Sequence, residues 1–111
     1  MTDETIAGSA DATLSSRELE RLRAELDRVD AELRDRLAER IACCVKIAQV
    51  KREYGVPMMQ PHRIGIVQER AAGFADRNGI DRDFMRRFYD LIIAETCRVE
   101  DLVIGAAGGS E

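Results

Sequence analysis

Apolar residues recur every three or four positions from Leu19 to Lys51, and no Pro or Gly interrupts this run. Such spacing is the period of an α-helix with one buried face. Ser15 and Glu18 are spaced as a capping box that predicts the start of the helix, and Tyr54-Gly55-Val56-Pro57 predicts its end. The first predicted helix therefore has about 38 residues and a length of roughly 57 Å.

The length of this helix predicts an assembly of two chains. A typical helix in a globular protein has about 11–12 residues, and a chain of 111 residues has the size of one domain. A domain of this size is too small to cover so long a helix along its whole length. We therefore expect the outer half of the helix to be covered by a second copy of the chain, in a homodimer.

Two shorter helices are predicted after a loop that runs from Gly55 to Pro61. Pro61 suits the first turn of a second helix over about His62–Arg77, and Asn78-Gly79 is a typical stop. Asp81 is expected to cap a third helix that ends near Ile104. The residues expected to point inward are Ile64, Val67, Ala71 and Phe74, and then Phe84, Phe88, Leu91, Ile92, Val99, Leu102 and Val103.

No strand-like alternation and no internal repeat occurs in the chain, so the predicted fold class is all-α, with three helices per chain. The two ends are small, polar or glycine-rich, and such segments bury too little apolar surface to fold. The predicted organisation is a disordered N-terminal tail over 1–14, a helical domain over 15–104 and a flexible C-terminal tail over 105–111.

Composition and charge restrict the classes of partner. The net charge of −4 and the isoelectric point of about 5.1 disfavour nucleic acid or an anionic membrane as the main partner. No apolar run reaches the length of a membrane span, and the N-terminus lacks the basic start of a signal peptide. The chain has three Cys and one His, which does not suit a zinc site. We expect buried free thiols, no metal and a cytoplasmic location.

Two cationic residues share the apolar face of the first helix. Arg40 and Lys51 keep the same three- and four-residue spacing as their neighbours on this face, which are Leu33, Leu37, Cys44 and Ile47. Their separation along the sequence returns the helix to within about 20° of the same direction and places them roughly 16–17 Å apart along the axis. Two such side chains could bind a small anion between them. The alternative is that both keep their charged ends in water.

Arg23 could join these residues only from another chain. It lies about 25 Å from Arg40 along the helix and is rotated by roughly 100°, so no small ligand contacts both within one chain. In an antiparallel pair of long helices, the partner's copy of this arginine could reach the ligand. Taken alone, Arg23 is typical of a solvated helix arginine.

On the third helix, Thr96 and Glu100 are one turn apart and share a face. A buried threonine hydroxyl could simply bond back to its own helix, and Glu100 could be a solvated helix end. Arg63 near the start of the second helix is unremarkable by itself. His62 has no Ser and Asp companions in a catalytic pattern, so the residues favour an electrostatic anion pocket over a nucleophile with its base.

These residues resemble the all-helical, dimeric chorismate mutases over about residues 17–104. The resemblance implies an intertwined homodimer of the chorismate mutase type II kind, with a dianionic small-molecule substrate and no cofactor. It also implies a role for each candidate residue. Arg23 from the partner chain and Arg40 from the same chain would bind the substrate's carboxylates. Lys51 would lie beside the enolpyruvyl ether oxygen. The matched residues also include Leu22, Leu26, Val29, Asp30, Ala38, Glu39, Leu91, Ile92 and Ile93.

The same resemblance implies the remaining site residues. Arg63 would be the arginine that opens the second helix, and Thr96 replaces the usual serine. Glu100 stands where a glutamine or glutamate assists the ether oxygen. It can donate to that oxygen only if it is protonated, and the alternative is that it remains ionised against Lys51. We expect the protonated form, which predicts higher activity at lower pH. Gln60 and Ile64 stand where chorismate-using members carry acidic residues that accept from the C4 hydroxyl.

The expected substrate follows from these differences from the chorismate-using members. Segments Val56–Pro61 and Cys97–Val103 are similar to the 4-amino-4-deoxychorismate mutases of antibiotic pathways that make 4-aminophenylalanine. The resemblance therefore implies a [3,3] Claisen rearrangement of 4-amino-4-deoxychorismate to 4-amino-4-deoxyprephenate. The same pocket would also suit an ordinary chorismate mutase, which forms prephenate, or an isochorismate pyruvate lyase. From a different class, the chain could be a non-catalytic helical dimerisation module.

Overall fold

The computed structural model describes the backbone of residues 2–57 and 60–105, and side chains from residue 12 onwards within these ranges, except that of Ile104. Its elements are three α-helices, α1 (Thr2–Glu53), α2 (Pro61–Asn78) and α3 (Arg82–Ile104). The prediction of an all-α chain with one very long helix is confirmed. Met58 and Met59, which belong to the loop segment used for the resemblance, lie outside the described residues, as do residues 106–111.

Helix α1 begins at Thr2, so the helix start predicted at Ser15 is wrong. Glu18, the second member of the expected capping box, instead accepts hydrogen bonds from Arg21 one turn further along the helix. The sequence before Ser15 contains no proline, and its several small residues are compatible with a helix. The assignment of residues 1–14 as a tail outside the domain stays a prediction.

The predicted helix ends are confirmed in their local chemistry. Gly55 has a φ of 68°, a left-handed conformation that strains other residues, and the Val56 N–H donates to the carbonyl of Lys51 at 2.8 Å. This is the closing bond of a helix C-terminal motif, and it ends α1 at Glu53, two residues after Lys51. At the start of α3, the Asp81 side chain accepts from the Phe84 N–H at 2.8 Å, as expected of a cap.

The chain divides into two compact units, Met1–Ala38 and Glu39–Glu111. In the described part of the first unit, the large apolar residues of α1 are 39–63% exposed in the single chain. These residues are Leu14, Leu19, Leu22, Leu26, Val29, Leu33 and Leu37. Their spacing is that of the predicted apolar face, so this part of the helix has an apolar face that the single chain leaves in contact with solvent.

The second unit has a core between α2 and α3. Ala71, Ala75 and Met85 are buried there, and Phe88 and Tyr89 are among the residues packed against them. The small alanine side chains on α2 leave room for the larger residues of α3. This arrangement confirms that the α2 face containing Ala71 points inward.

Some residues expected to point inward are exposed in the single chain. Phe74, Phe84, Leu91, Leu102 and Val103 are 47–72% exposed, so their predicted inward orientation is wrong for one chain. The apolar surface of α3 is wider than the surface that one neighbouring helix covers. Among the side chains of α3 that the structure describes, the buried ones are those of Met85, Thr96 and Glu100. Searched over the described residues, no helix is both long and apolar enough to cross a membrane.

Candidate functional site

Arg40 is held from two helices of the second unit. Its Nη1 donates to the hydroxyl oxygen of Thr96 on α3 at 3.4 Å, and to the sulfur of Cys44, one turn along α1, at 3.9 Å. Its guanidinium carbon lies 5.6 Å from the centroid of the Tyr89 ring. The side chain is half-buried. Arg40 is therefore directed towards α3 and away from bulk water.

Thr96 is oriented by its own helix. Its hydroxyl donates to the carbonyl of Ile92 at 2.8 Å, which leaves the oxygen lone pairs to accept from Arg40. The bond back to the helix was one of the two sequence interpretations, and it is present together with the contact to Arg40. The hydrogen bond to Ile92 fixes the hydroxyl, and the hydrogen bond from Arg40 in turn fixes the guanidinium.

Lys51 and Glu100 are buried, although both carry ionisable groups. Lys51 is 7% exposed and Glu100 is 0% exposed. The alternative in which Lys51 keeps its charged end in water is therefore wrong for this chain, and so is the interpretation of Glu100 as a solvated helix end. Glu100 lies one turn after Thr96 on the same face of α3, and Lys51 lies in the last turn of α1.

The buried polar and charged residues among those described are Lys51, Thr96 and Glu100. All of them belong to the set of candidate residues taken from the sequence. A buried ionisable side chain costs free energy of folding unless other groups compensate for its lost hydration. A chain that keeps two such residues beside an apolar core has a site that is suited to a charged ligand.

Gln60, Arg63 and Ile64 lie together at the N-terminus of α2. Gln60 is the N-cap residue, and its carbonyl accepts from the backbone N–H groups of Arg63 and Ile64 at 3.0 and 3.3 Å. Its side-chain amide donates to the carbonyl of Pro57 at 3.3 Å and so ties the loop to the helix. Arg63 is exposed and Ile64 is half-buried. Their participation in ligand binding stays a prediction.

Arg23 belongs to the first unit and is exposed. Its predicted role requires a second copy of the chain, so it stays a prediction. Within the described residues, no group of three or more His, Cys, Asp or Glu side chains could hold a metal ion. The described cysteines form no disulfide, and Cys44 is buried whereas Cys43 is exposed, so the prediction of buried thiols is wrong for Cys43. Among the candidate residues, the structure places Arg40 in contact with Thr96. Cys44 and Tyr89 also contact Arg40.

Sequence reasoning missed Tyr89. This residue precedes Thr96 by two helical turns on α3 and therefore lies on the same face of the helix. That spacing was the available signal, but an aromatic residue in an apolar stripe is typical of a core position, and Tyr89 does pack against the core. Its contact with the guanidinium of Arg40 depends on how α1 and α3 pack, which the pattern of a single helix does not contain.

The chemistry of the site is that of anion recognition. A guanidinium and a buried ammonium provide N–H donors and positive charge, and a threonine hydroxyl orients the guanidinium. In a site shielded from water, such charges act more strongly than they do in solvent. An arginine suits a carboxylate because its donors match the two carboxylate oxygens. The arrangement can hold a carboxylate and stabilise negative charge that develops on a nearby oxygen.

Comparison with known proteins gives concordant matches. The family model described as chorismate mutase type II matches residues 22–101. The chain is 53% identical over 87 residues to a 4-amino-4-deoxychorismate mutase of Streptomyces venezuelae, an alignment that covers 78% of this chain and 84% of that protein. It is 50% identical over 90 residues to a 4-amino-4-deoxychorismate mutase of Streptomyces pristinaespiralis, covering 81% of this chain and 70% of that protein. No solved structure matches the chain.

Proposed function

The chain belongs to the chorismate mutase type II family, and we propose that it is an isomerase that converts 4-amino-4-deoxychorismate to 4-amino-4-deoxyprephenate. The relatives of that name, which are 50% and 53% identical to this chain, support the substrate. The structural observation that carries the proposal is the burial of Lys51, Thr96 and Glu100 together with the Arg40–Thr96 contact. These are the residues to which the family resemblance assigns the substrate's carboxylate and its ether oxygen.

The reaction is a rearrangement within one molecule. The ether C–O bond breaks while a C–C bond forms between the enolpyruvyl group and the ring, and no proton is transferred in this step. The protein must hold a flexible dianion in a chair-like geometry in which the reacting carbons are close. Arg40 binds one carboxylate. Arg63 and the partner's copy of Arg23 position the remainder of the dianion.

Negative charge builds up on the ether oxygen as its bond to the ring breaks. The ammonium of Lys51 donates to this oxygen, and its burial strengthens the interaction because little water competes. Glu100 donates to the same oxygen in its protonated form. Gln60 and Ile64 are assigned to the C4 end of the substrate.

The active form in this proposal is a homodimer. The exposed apolar residues of α1 in the first unit, among them Leu22 and Leu26, form the surface that a second copy covers. A chain in an intertwined pair places its own Arg23 in the site of its partner. Each dimer then has two sites, and each site needs residues from both chains.

The substrate assignment is tested by offering the purified protein 4-amino-4-deoxychorismate, chorismate and isochorismate in separate reactions, with the products followed by NMR. We expect preferred conversion of the amino compound to a prephenate-type product. Turnover of chorismate alone would refute the substrate, and pyruvate release from isochorismate would favour a lyase. A folded dimer that converts none of the three would be a non-catalytic dimerisation module.

The shared site is tested by mixing two inactive variants, Arg23→Ala and Lys51→Ala, under conditions in which chains exchange. In a mixed dimer, one site lacks both side chains and the other has both. With equal amounts and random pairing, about a quarter of all sites become complete, so we expect about a quarter of the wild-type activity to return. If Arg23 acts within its own chain, mixing restores nothing. A mixture of Arg40→Ala with Lys51→Ala is the control. One chain contributes both of these residues to a site, so each site of a mixed dimer lacks one of them and mixing should restore nothing.

A further inference from the structure

We propose that Tyr89 is a positioning residue that holds the guanidinium of Arg40 in the orientation that binds a substrate carboxylate. The inference deepens the proposed function and depends on it for the identity of the ligand. Tyr89 is not one of the residues that the family resemblance assigned to the site. It acts through Arg40 and is not assigned a contact with the substrate.

The first ground is the geometry around Arg40. The guanidinium carbon lies 5.6 Å from the centroid of the Tyr89 ring, within the distance at which a cation is attracted to the face of an aromatic ring. Nη1 is directed to Thr96 and Cys44. The guanidinium is therefore fixed by a hydrogen bond at one nitrogen and by an aromatic surface near its centre. These contacts restrict both its position and the plane in which it lies.

The second ground is the anchoring of Tyr89 itself. Its ring meets the ring of Phe88 edge to face, with centroids 6.0 Å apart and planes at 88°. It also packs against the core cluster of Ala71, Ala75 and Met85. A half-buried ring held in this way has few alternative positions. Tyr89 therefore connects the orientation of Arg40 to the packed core between α2 and α3.

The third ground is the flexibility of an arginine side chain. Arg40 has several rotatable bonds, and ligand binding would cost more if these had to be ordered at the same time. A guanidinium that is already ordered before the ligand arrives binds it with less loss of entropy. The Tyr89 ring provides this order without donating or accepting a hydrogen bond, so the N–H groups of Arg40 are not consumed by the contact.

The kinetic test compares Tyr89→Leu with Tyr89→Phe. Removal of the ring face should raise KM for 4-amino-4-deoxychorismate by roughly three- to thirtyfold, the range expected for one cation–π contact. The effect on kcat should be smaller, because a carboxylate is bound in the ground state and in the transition state alike. Tyr89→Phe keeps the ring, so its KM should stay near the wild-type value.

The control is Phe84→Leu. Phe84 is another aromatic residue of α3 and stacks on Phe88, but the aromatic ring over Arg40 is that of Tyr89. If Tyr89→Leu and Phe84→Leu raise KM equally at equal thermal stability, the effect is one of packing and the proposal is overturned. The proposal is also overturned if Tyr89→Leu leaves KM at the wild-type value.

An NMR measurement tests the inference without requiring the protein to turn over a substrate. The Arg40 Nε–Hε signal, assigned by its loss in Arg40→Lys, should be displaced by the ring current of Tyr89 and should show restricted motion. We expect Tyr89→Leu to remove both properties and Tyr89→Phe and Phe84→Leu to keep them. An unchanged Arg40 signal in folded Tyr89→Leu overturns the inference. Absence of turnover in the wild type overturns the proposed function alone, because the NMR comparison still shows whether Tyr89 orders Arg40.

Discussion

The two units contain different parts of helix α1, and a residue on one face of this helix is exposed in the first unit whereas another on the same face is buried in the second. In the first unit, Leu26 on the apolar face of α1 is 57% exposed, whereas in the second unit Lys51 on the same series of positions is 7% exposed. Hydrophobicity alone would predict the reverse. Burial in a single chain therefore reports which surface is covered by neighbouring elements. In the proposed function, a second copy of the chain covers the exposed leucine, and the buried lysine binds an anionic ligand.

Charged residues show the same contrast. At the surface of the first unit, the Arg21 guanidinium holds the pKa of the Glu18 carboxyl below its usual value. Both side chains are well exposed, and ion pairs of this kind contribute little to stability. In the second unit, Arg40 is half-buried and directed to a threonine and an aromatic ring. The exposed ion pair of the first unit therefore lies in solvent, whereas in the proposed function Arg40 binds a carboxylate.

The largest expected effect is on assembly, through Leu26→Asp. Leu26 lies on the exposed apolar face of the first unit, and a two-fold symmetric interface loses each substituted side chain twice. Two buried leucines correspond to about 5 kcal/mol of association free energy, so the dimer should dissociate at micromolar concentration. Sedimentation equilibrium measures this. Ala24→Asp, on the opposite side of the helix, should leave the dimer intact, and equal dimerisation of both variants would show that this face is not the interface.

The next effect is on catalysis, through Lys51→Ala. Loss of the buried ammonium should cost on the order of 3 kcal/mol of transition-state stabilisation, comparable to the loss of one oxyanion donor. Turnover of 4-amino-4-deoxychorismate under saturating conditions measures it. Lys46→Ala removes an exposed lysine of the same helix and should leave turnover near the wild-type value. Near-normal turnover in Lys51→Ala would mean that the buried ammonium does not stabilise the transition state.

A smaller effect, of opposite sign, is expected on stability from Arg40→Leu. Leucine continues the apolar face of α1, and replacing a partly desolvated charge with an apolar side chain should raise the free energy of unfolding by about 1 kcal/mol. Activity should be lost, because a substrate carboxylate no longer has its partner. Chemical denaturation and turnover are measured on the same preparation. A variant that gains stability and keeps activity would identify position 40 as a packing position only.

The smallest effect is expected from Glu100→Gln, in the pH dependence of turnover. If only the protonated carboxyl donates to the ether oxygen, wild-type turnover falls as pH rises and Glu100 ionises. An amide donates at every pH, so the variant should have a flat profile and should match the wild type best at low pH. A pH profile unchanged by the substitution would show that Glu100 acts in another form or has no part in the reaction.

The sequence predicted most of the fold because its signals are local. The Asp81 cap, the Gly55 turn and the helical periodicity each depend on neighbouring residues, and each is present in the structure. The helix start at Ser15 was wrong because a capping box marks a possible start and does not prevent a helix from extending beyond it. Inward positions such as Leu91 were wrong because periodicity shows that a face is apolar without showing what covers it.

For the site, the sequence provided the residue types, and the packing of helices provided their contacts. Arg40 and Thr96 were candidates on separate helices, and the structure places them in hydrogen-bond contact. Tyr89 could not be separated from ordinary core aromatics, because its function depends on the approach of α1 to α3. The roles of Arg23 and Arg63 remain predictions, since they depend on groups that only a second chain or a ligand provides.

The hydroxyl of Thr96 occupies one donor of Arg40 before any ligand is present. Its one hydrogen is directed to the carbonyl of Ile92, so towards Arg40 it presents lone pairs only. A carboxylate that binds at Nη1 of Arg40 therefore replaces this hydroxyl as the acceptor, or the hydroxyl rotates and donates its hydrogen to the carboxylate. In either case a hydrogen bond within the chain is exchanged for one to the ligand, and the arginine is held in place until that exchange.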